Sequence, residues 1–568
     1  MRKATLICLA LLALAPALSQ AQPAIRATNG ILNASSALPD VAQGSWFVIY
    51  GTGLGPSTIA IQYPYTATLA GTSVTFTPAS GGTPVSALLY YTLATQVAAM
   101  LPSSTPVGTY NVKVAYSGQT SAAVSANVVA RNFGFATQTS NGQGPAQATY
   151  GGYDLNRFTT GTLGQWSIRP AKPGDGVVLW GTGLGADPAS DINGGSSGDQ
   201  TAAGQVQVFV GGTAVTPGYA GRSNGSPGLD QINFTVPTNV TPGCFVSLQV
   251  SAGGRLSNLG SIAVAPAGQT ACTSPLLTQA QLQNLDMGGT LIAGVVGLVK
   301  SNSIFTASVS ENTETAAGSF GKYAVDAVSG SDLAMLQPGA CFVVQRTGTI
   351  DQMTNGAAPT QTLDAGTQLT LNGPNASNRA IPQQSDKSYL ATLYSTGLLG
   401  IGATGSPTLA AGTYTLAGKG GADVGAFSAS TSVPGDFSWT NENLIANPIP
   451  RSSPLTVNWT GNAGGLVTIL AATLSRISGT GLTATYSSFG FNCTAEASAG
   501  SFAVPSYLLQ QLPAVSGDAT ASTFGVLSVF GVPSPSQLTF SAPLTAGGKI
   551  DVGFIGSEVV FTKVIGYN

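Results

Sequence analysis

Four residues in one short stretch, Asp187, Asp191, Asn193 and Asp199, bring oxygen donors close together, with Gly194 and Gly195 between them for sharp turning. Hard oxygen ligands at this spacing suit Ca²⁺, although no EF-hand register is met, and a solvated polar loop is the competing account. Two G-x-S-x-G sequences, centred on Ser196 and Ser223, have the outline of a nucleophile elbow. Neither has a base to activate it. The chain contains no histidine, which excludes Ser-His-Asp and Cys-His catalysis and every His-ligated metal. Trp439 lies in D-F-S-W-T-N-E-N, 436–443, an aromatic flanked by amides and carboxylates of the kind that sugar-binding surfaces use. A buried sandwich tryptophan with polar turn neighbours is the commoner arrangement, because aromatics usually serve the core. Glycosidase chemistry needs two facing carboxylates, and Asp436 and Glu442 qualify only by proximity in sequence. No cofactor is implied.

The elements that position these residues are strands. All five glutamates (311, 314, 442, 496, 558) fall after residue 300, and the first half is rich instead in Thr, Val, Ser and Gly. The stretch 46–56, W-F-V-I-Y-G-T-G-L-G-P, returns at 177–186 as V-V-L-W-G-T-G-L-G-A. Each copy is an apolar run too short for a helix, ending in a glycine turn. A phosphate cradle would need a helix to start there, but Pro56 follows one copy and Ala186-Asp187-Pro188 the other, so a strand-to-strand turn is expected. Gly51 matches Gly181 at an offset of 130; Gln96, Pro102 and Gly108 match Gln231, Pro237 and Gly243 at 135. Val112 and Val114 must then match Leu248 and Val250 at 136 to keep the inward face in phase, which implies one residue inserted beside Cys244. Tyr110, Val112, Val114 and Tyr116 alternate with polar or small residues, the period of a strand with one face on a core.

Residues 1–21 read as a secretory leader, with Arg2 and Lys3 before an apolar run at 4–18 and small residues at the cleavage point. A membrane anchor is the alternative, disfavoured by the shortness of the run. No segment of the mature chain is long and apolar enough for a membrane helix; 290–299 comes nearest, and Lys300 closes it. A transmembrane barrel would need sustained lipid-facing alternation, which is not evident. The formal net charge is −2 and only 7% of residues are charged, so no basic patch exists to hold nucleic acid. Four cysteines follow the leader, Cys244, Cys272, Cys341 and Cys493. An even count in an exported chain reads as two disulfides, and sequence order suggests 244 with 272 and 341 with 493, one of three possible pairings. No two of them have the C-x-x-C spacing of a metal site.

Several short motifs occur in fixed order: N-A-S-S at 33–36, the two G-T-G-L-G loops, G-Q-G-P-A-Q-A at 142–148, A-K-P-G-D at 171–175, Q-I-N at 231–233 and P-x-x-x-x-x-G at 237–243. Together they resemble a secreted repeat family of unknown function, much expanded in acidobacteria, over about residues 25–272. The V-x-x-x-G-T-G-L-G element is also similar to IPT/TIG domains, which are immunoglobulin-like sandwiches. The first repeat departs from the pattern, with Gln96-Val97-Ala98 where Q-I-N is expected. The resemblance implies tandem Ig-like modules and brings no catalytic residues.

The expected organisation is all-β: a leader at 1–21, an Ig-like/IPT-like repeat at 22–130, a connecting segment at 131–167, a second repeat at 168–272, a connector with one short helix at 273–288, and a β-rich region of one or two domains at 289–568. Tyr150 and Tyr153 suggest that the connecting segment is ordered and packed on the second repeat. The expected function is that of an exported, non-catalytic structural or interaction protein displaying Ig-like modules to an unknown protein or glycan at or outside the cell surface. The alternatives are a lectin-like role for the C-terminal region and, after that, a glycan-active enzyme.

Overall fold

The computed structural model describes residues 22–151, 153–192, 199, 205–306, 308–329, 338–348, 359–397, 402–462, 464–479, 484–533 and 539–568. It is an all-β chain of tandem Ig-like sandwiches followed by a larger β-rich unit. In the first sandwich one sheet runs from the edge strand Ala24–Ile25 through Trp46–Thr52, Gln96–Met100 and Leu88–Leu93 to Ala60–Thr66. The facing sheet is built on Val124–Val129, Gly108–Tyr116 and Thr72–Pro78. Alternation does the sorting: Val112 and Val114 point inward with Val74 and Phe76, against Phe47, Ile49 and Val97 of the other sheet. The Tyr110 hydroxyl donates to the Pro106 carbonyl at 2.8 Å, a tyrosine corner of the kind that pins the start of such a strand.

The second sandwich repeats the first in register. Gln96 stands opposite Tyr50 and Gln231 opposite Trp180, so the offsets of 130 and 135 are true structural equivalences. The edge strand is repeated too: Ala24 and Ile25 pair with Thr52 and Gly51, and Gly134 and Phe135 pair with Thr182 and Gly181. The sheet of the second sandwich therefore begins at Gly134, not at 168. Segment 131–167 supplies Gly134–Phe135, Ala148–Tyr150, Asp154–Asn156 and Gly161–Leu163 to it. Tyr150 is buried, its hydroxyl donating to Asn156 Oδ1 at 2.8 Å and its ring lying under Arg169. Composition hid this edge because short edge strands rich in Gly, Gln and Thr carry no apolar run.

The inserted residue is a bulge. Gly243 faces Val264, but Val246 faces Ile262, leaving one extra residue at Cys244-Phe245. Cys244 there bonds Cys272 with Cα atoms 5.1 Å apart. Helix Gln279–Asp286 follows, opened by a reciprocal capping box between Thr278 and Gln281.

After it a ten-stranded sheet carries the C-terminal half. Its hairpin Leu291–Thr306 and Val309–Tyr323 pairs along its whole length, and Leu291–Thr306 also lies parallel to the last strand, Val552–Val564. Residues 291–299 of the nearest approach to a membrane span belong to this sheet. Among the described residues no helix is long and apolar enough to cross a membrane. Two cores form on this one sheet, one around Trp439, Trp459 and Phe491, the other around Phe320, Tyr389, Tyr414 and Phe427. Cys341 stands directly opposite Cys493 in neighbouring antiparallel strands and bonds it. Apolar runs bounded by turn residues predict strands at Cys341-Phe-Val-Val, 368–371, 455–459, 467–470, 538–540 and 559–564, and all but that at 538–540 lie within longer strands. The one at 538–540 is reduced to a single bridge, Thr539 with Phe554, and Leu538 lies outside the described residues.

Candidate functional site

N-A-S-S, the start of G-Q-G-P-A-Q-A and the second G-T-G-L-G loop meet at the seam between the two sandwiches. Asn33, first residue of N-A-S-S, accepts from the amides of Ser35 and Ser36 and donates across the seam to the carbonyls of Asn132 and Thr182. Thr182 of the second G-T-G-L-G loop accepts from the Trp46 amide at 2.9 Å and donates to the Gly228 carbonyl at 2.6 Å. Gly183, at φ +108°, has no room for a side chain, because a Cβ would collide with the Asn132 carbonyl. At the centre Asp230 accepts from the Gly183 and Leu184 amides, both at 2.7 Å, and from Arg222 Nε at 2.9 Å. Arg222 Nη2 reaches the Gly44 carbonyl of the first sandwich at 2.8 Å. Both charged side chains are 1% exposed. Burial raises the Asp230 carboxyl above its ordinary value, while the Arg222 guanidinium and the two amides pull it down. The G-T-G-L-G loop is thus a joint between modules rather than a ligand cradle.

Of the candidate calcium ligands, Asp187 and Asp191 belong to the same joint. Asp191 accepts from the Ser103 amide and hydroxyl at 2.8 and 2.6 Å, tying the loop to the first sandwich. The Asp187 amide donates to Ser103 Oγ, and Asp199 Oδ1 accepts from the Ala220 amide on a different strand. Asn193 lies outside the described residues. Among the described residues no group of three His, Cys, Asp or Glu side chains converges, and protein donors occupy the Asp191 carboxylate. Ser223 is buried and its amide closes a turn on Leu229; Ser196 lies outside the described residues.

Trp439 is 4% exposed, packed in the core with Trp459 and Phe437, its indole N–H donating to Asn441 Oδ1 at 3.0 Å. It is a buried sandwich tryptophan that offers no face to a sugar, and the amide of Asn441 beside it satisfies its own N–H. Trp439→Ala is expected to destabilise the C-terminal unit by about 3–5 kcal/mol through cavity formation, read as a lower urea midpoint for that unit. Asp436 accepts from the Asn462 amide in a turn. The Glu442 carboxyl is raised by burial and faces Lys563, so the two carboxylates have separate structural surroundings.

What the sequence reading missed is an aromatic surface. On the outer face of the first sandwich Trp46 and Tyr50 stand beside Tyr90 and Tyr91, and Tyr63 and Tyr65 beside those. Trp46 lies parallel to Tyr90 with ring centres 5.9 Å apart, and Tyr65 is 5.5 Å from both Tyr63 and Tyr90. A bulge creates this surface. Ala98 faces Tyr91 but Ala99 faces Leu89, so the unpaired Tyr90 joins Tyr91 on the outer face while Leu89 and Thr92 stay inside. Burial pushes the Tyr65 and Tyr91 phenols up to about 12, so both remain neutral hydrogen-bonding groups at physiological pH. The four strands carry no charged residue, and Tyr63 is 58% exposed, with Ile59 and Ile61 also exposed nearby. The signal available in sequence was Y-P-Y at 63–65, which puts two rings on one face, and the broken alternation of L-L-Y-Y-T-L at 88–93.

No family model matches the chain, and no curated protein does. Among solved structures it is similar to domains 5–6 of the S-layer protein SbsC, at 12% identity and TM-score 0.15, over 43% of this chain and 99% of that one. It is also similar to the Bacteroides ovatus protein SGBP-B of a mixed-linkage glucan utilization locus, at 12% identity and TM-score 0.12, over 82% and 96%. The Escherichia coli adhesin FdeC matches at 13% identity and TM-score 0.11, over 70% and 94%. At TM-scores this low none of them bears on what the chain does.

Proposed function

We propose that the chain is an exported, non-catalytic interaction protein of the secreted, IPT/TIG-like repeat family that its motifs resemble. Its first Ig-like module presents the aromatic face to a partner at or outside the cell surface. The observation that carries this reading is that face: rings from three strands, partly exposed, with the Arg26 guanidinium over Tyr50 at its edge, held by a bulge in the sheet. The buried seam supports it by fixing the first module on the second, so that the face is displayed at a set angle rather than on a flexible tether. Export is supported by the leader-like residues 1–21 in the sequence and by two disulfides. Catalysis has little to draw on, since no histidine exists and the two carboxylates considered for it are separately placed, Asp436 in a turn and Glu442 near Lys563.

The test is binding of the purified mature chain to intact cells and envelope fractions of the producing organism. The wild-type chain is expected to bind saturably, and Tyr63→Ala combined with Tyr65→Ala to weaken binding at least tenfold, since truncating a central interface tyrosine costs about 2 kcal/mol. Circular dichroism should be unchanged, because Tyr63 lies outside the core. Equal binding by both proteins sinks the assignment of this face.

A further inference from the structure

A cavity of about 400 Å³ opens at the seam between the sandwiches, away from the aromatic face and independent of the reading above. Val129 and Ala130 line it at the end of the first sandwich, Arg131 at the crossing, and Gln205, Gly253 and Arg255 on the second. Among the described residues no carboxylate lines it, and its two guanidinium groups differ in what they meet. Arg255 Nη2 donates to Asp40 Oδ2 at 2.8 Å, and the other Asp40 oxygen accepts from Asn127, so that charge is balanced. Arg131 has no such partner. Its Nη1 is buried without an acceptor among the described residues, and burial lowers the guanidinium from its ordinary value with no acid to counter it.

The chain is built closely around this side chain. A Cβ at Gly185 would stand 3.3 Å from Arg131 Cγ, and one at Gly253 would stand 3.0 Å from its Cδ. Both glycines have positive φ, +122° and +59°, so the two turns that flank the arginine stem need glycine for their backbone as well as for the space. A guanidinium held in place, partly desolvated and short of an acceptor is unfavourable by itself, and an anion that accepts from it removes the penalty. We propose that this seam is an oxyanion site, with Arg131 as the principal cation and Arg255 and the Gln205 carboxamide at the rim. A carboxylate matches the planar fork of a guanidinium, and sulfate or phosphate presents the same pair of oxygens. The ligand is either a free small oxyanion or the carboxylate of an acidic polysaccharide.

The experiment uses the full mature chain in dilute Tris chloride, titrated with sodium sulfate, sodium phosphate or trigalacturonate and followed by calorimetry and thermal unfolding. Arg131→Met keeps the stem and removes the charge. Wild type is expected to bind one anion per chain saturably, and Arg131→Met to bind about tenfold or more weakly. Without oxyanion, Arg131→Met should unfold no earlier than wild type, because an unpaired charge has gone. Tighter binding of trigalacturonate than of sulfate and phosphate identifies an acidic polysaccharide as the source, and the reverse order a free anion. Three results overturn the proposal: no saturable binding by wild type, equal affinity of Arg131→Met for every anion, or earlier unfolding of Arg131→Met by the same margin with and without anion.

Discussion

Asp230→Ala is expected to destabilise the paired sandwiches by about 3–5 kcal/mol, the cost of breaking a buried ion pair from one side. The size follows from what is left behind. Arg222, 1% exposed, would keep its charge without a counter-ion, and the Gly183 and Leu184 amides would lose their acceptor in a place that water does not reach. The Gly44 carbonyl that Arg222 holds belongs to the first sandwich, so the damage spreads across the seam. Urea unfolding should show a lower midpoint for the sandwiches, and small-angle scattering should show a broader distribution of lengths as the two modules lose their fixed angle. Replacing both partners, Arg222→Met with Asp230→Leu, should recover part of the loss, because an apolar pair leaves no orphaned charge. A single variant with wild-type stability would mean that the pair is solvated in solution and that the seam is held by its backbone hydrogen bonds alone.

The second large effect is expected in the C-terminal unit. Cys341 and Cys493 close a loop with a sequence separation of 152, which loop-closure entropy values at about 5 kcal/mol, an upper figure. The Cys244–Cys272 loop, with a separation of 28, is worth about 3.5 kcal/mol on the same basis. Cys341→Ala with Cys493→Ala should therefore lower stability more than Cys244→Ala with Cys272→Ala. Denaturant titration of the two double variants checks the order. The longer bond also ties together two strands at one end of the ten-stranded sheet, so its loss should loosen the core around Trp439 and Phe491 first. Hydrogen exchange in Cys341–Gly348 and Thr485–Glu496 would report that; unchanged protection there would contradict it.

The repeat was legible because it is written in residues that have few substitutes. A glycine turn at positive φ, an inward Val-x-Val and a proline before a strand each restrict the backbone locally, so matching offsets were enough to align two sandwiches and to locate a bulge beside Cys244. The C-terminal strands at 376–382, 389–395 and 412–418 were not legible. None is a continuous apolar run, and the sheet partners of 389–395 (313–318) and of 412–418 (369–372) lie dozens of residues away. The aspartates at 187, 191 and 199 looked like ligands because sequence shows spacing but not what already occupies a carboxylate. The Ser103 donors to Asp191 come from another module.

By itself the sequence determined the fold class, the tandem repeat and its register and the exclusion of histidine chemistry, because each depends on residue type and local period. Only the tertiary structure decided that the second sandwich starts at Gly134, that Trp439 is core, that Tyr90 turns outward to complete an aromatic face, and that Arg222 and Asp230 meet at the seam. Those facts depend on which groups are brought together across the chain and on how much water is left between them, and neither quantity is carried by any short stretch of residues.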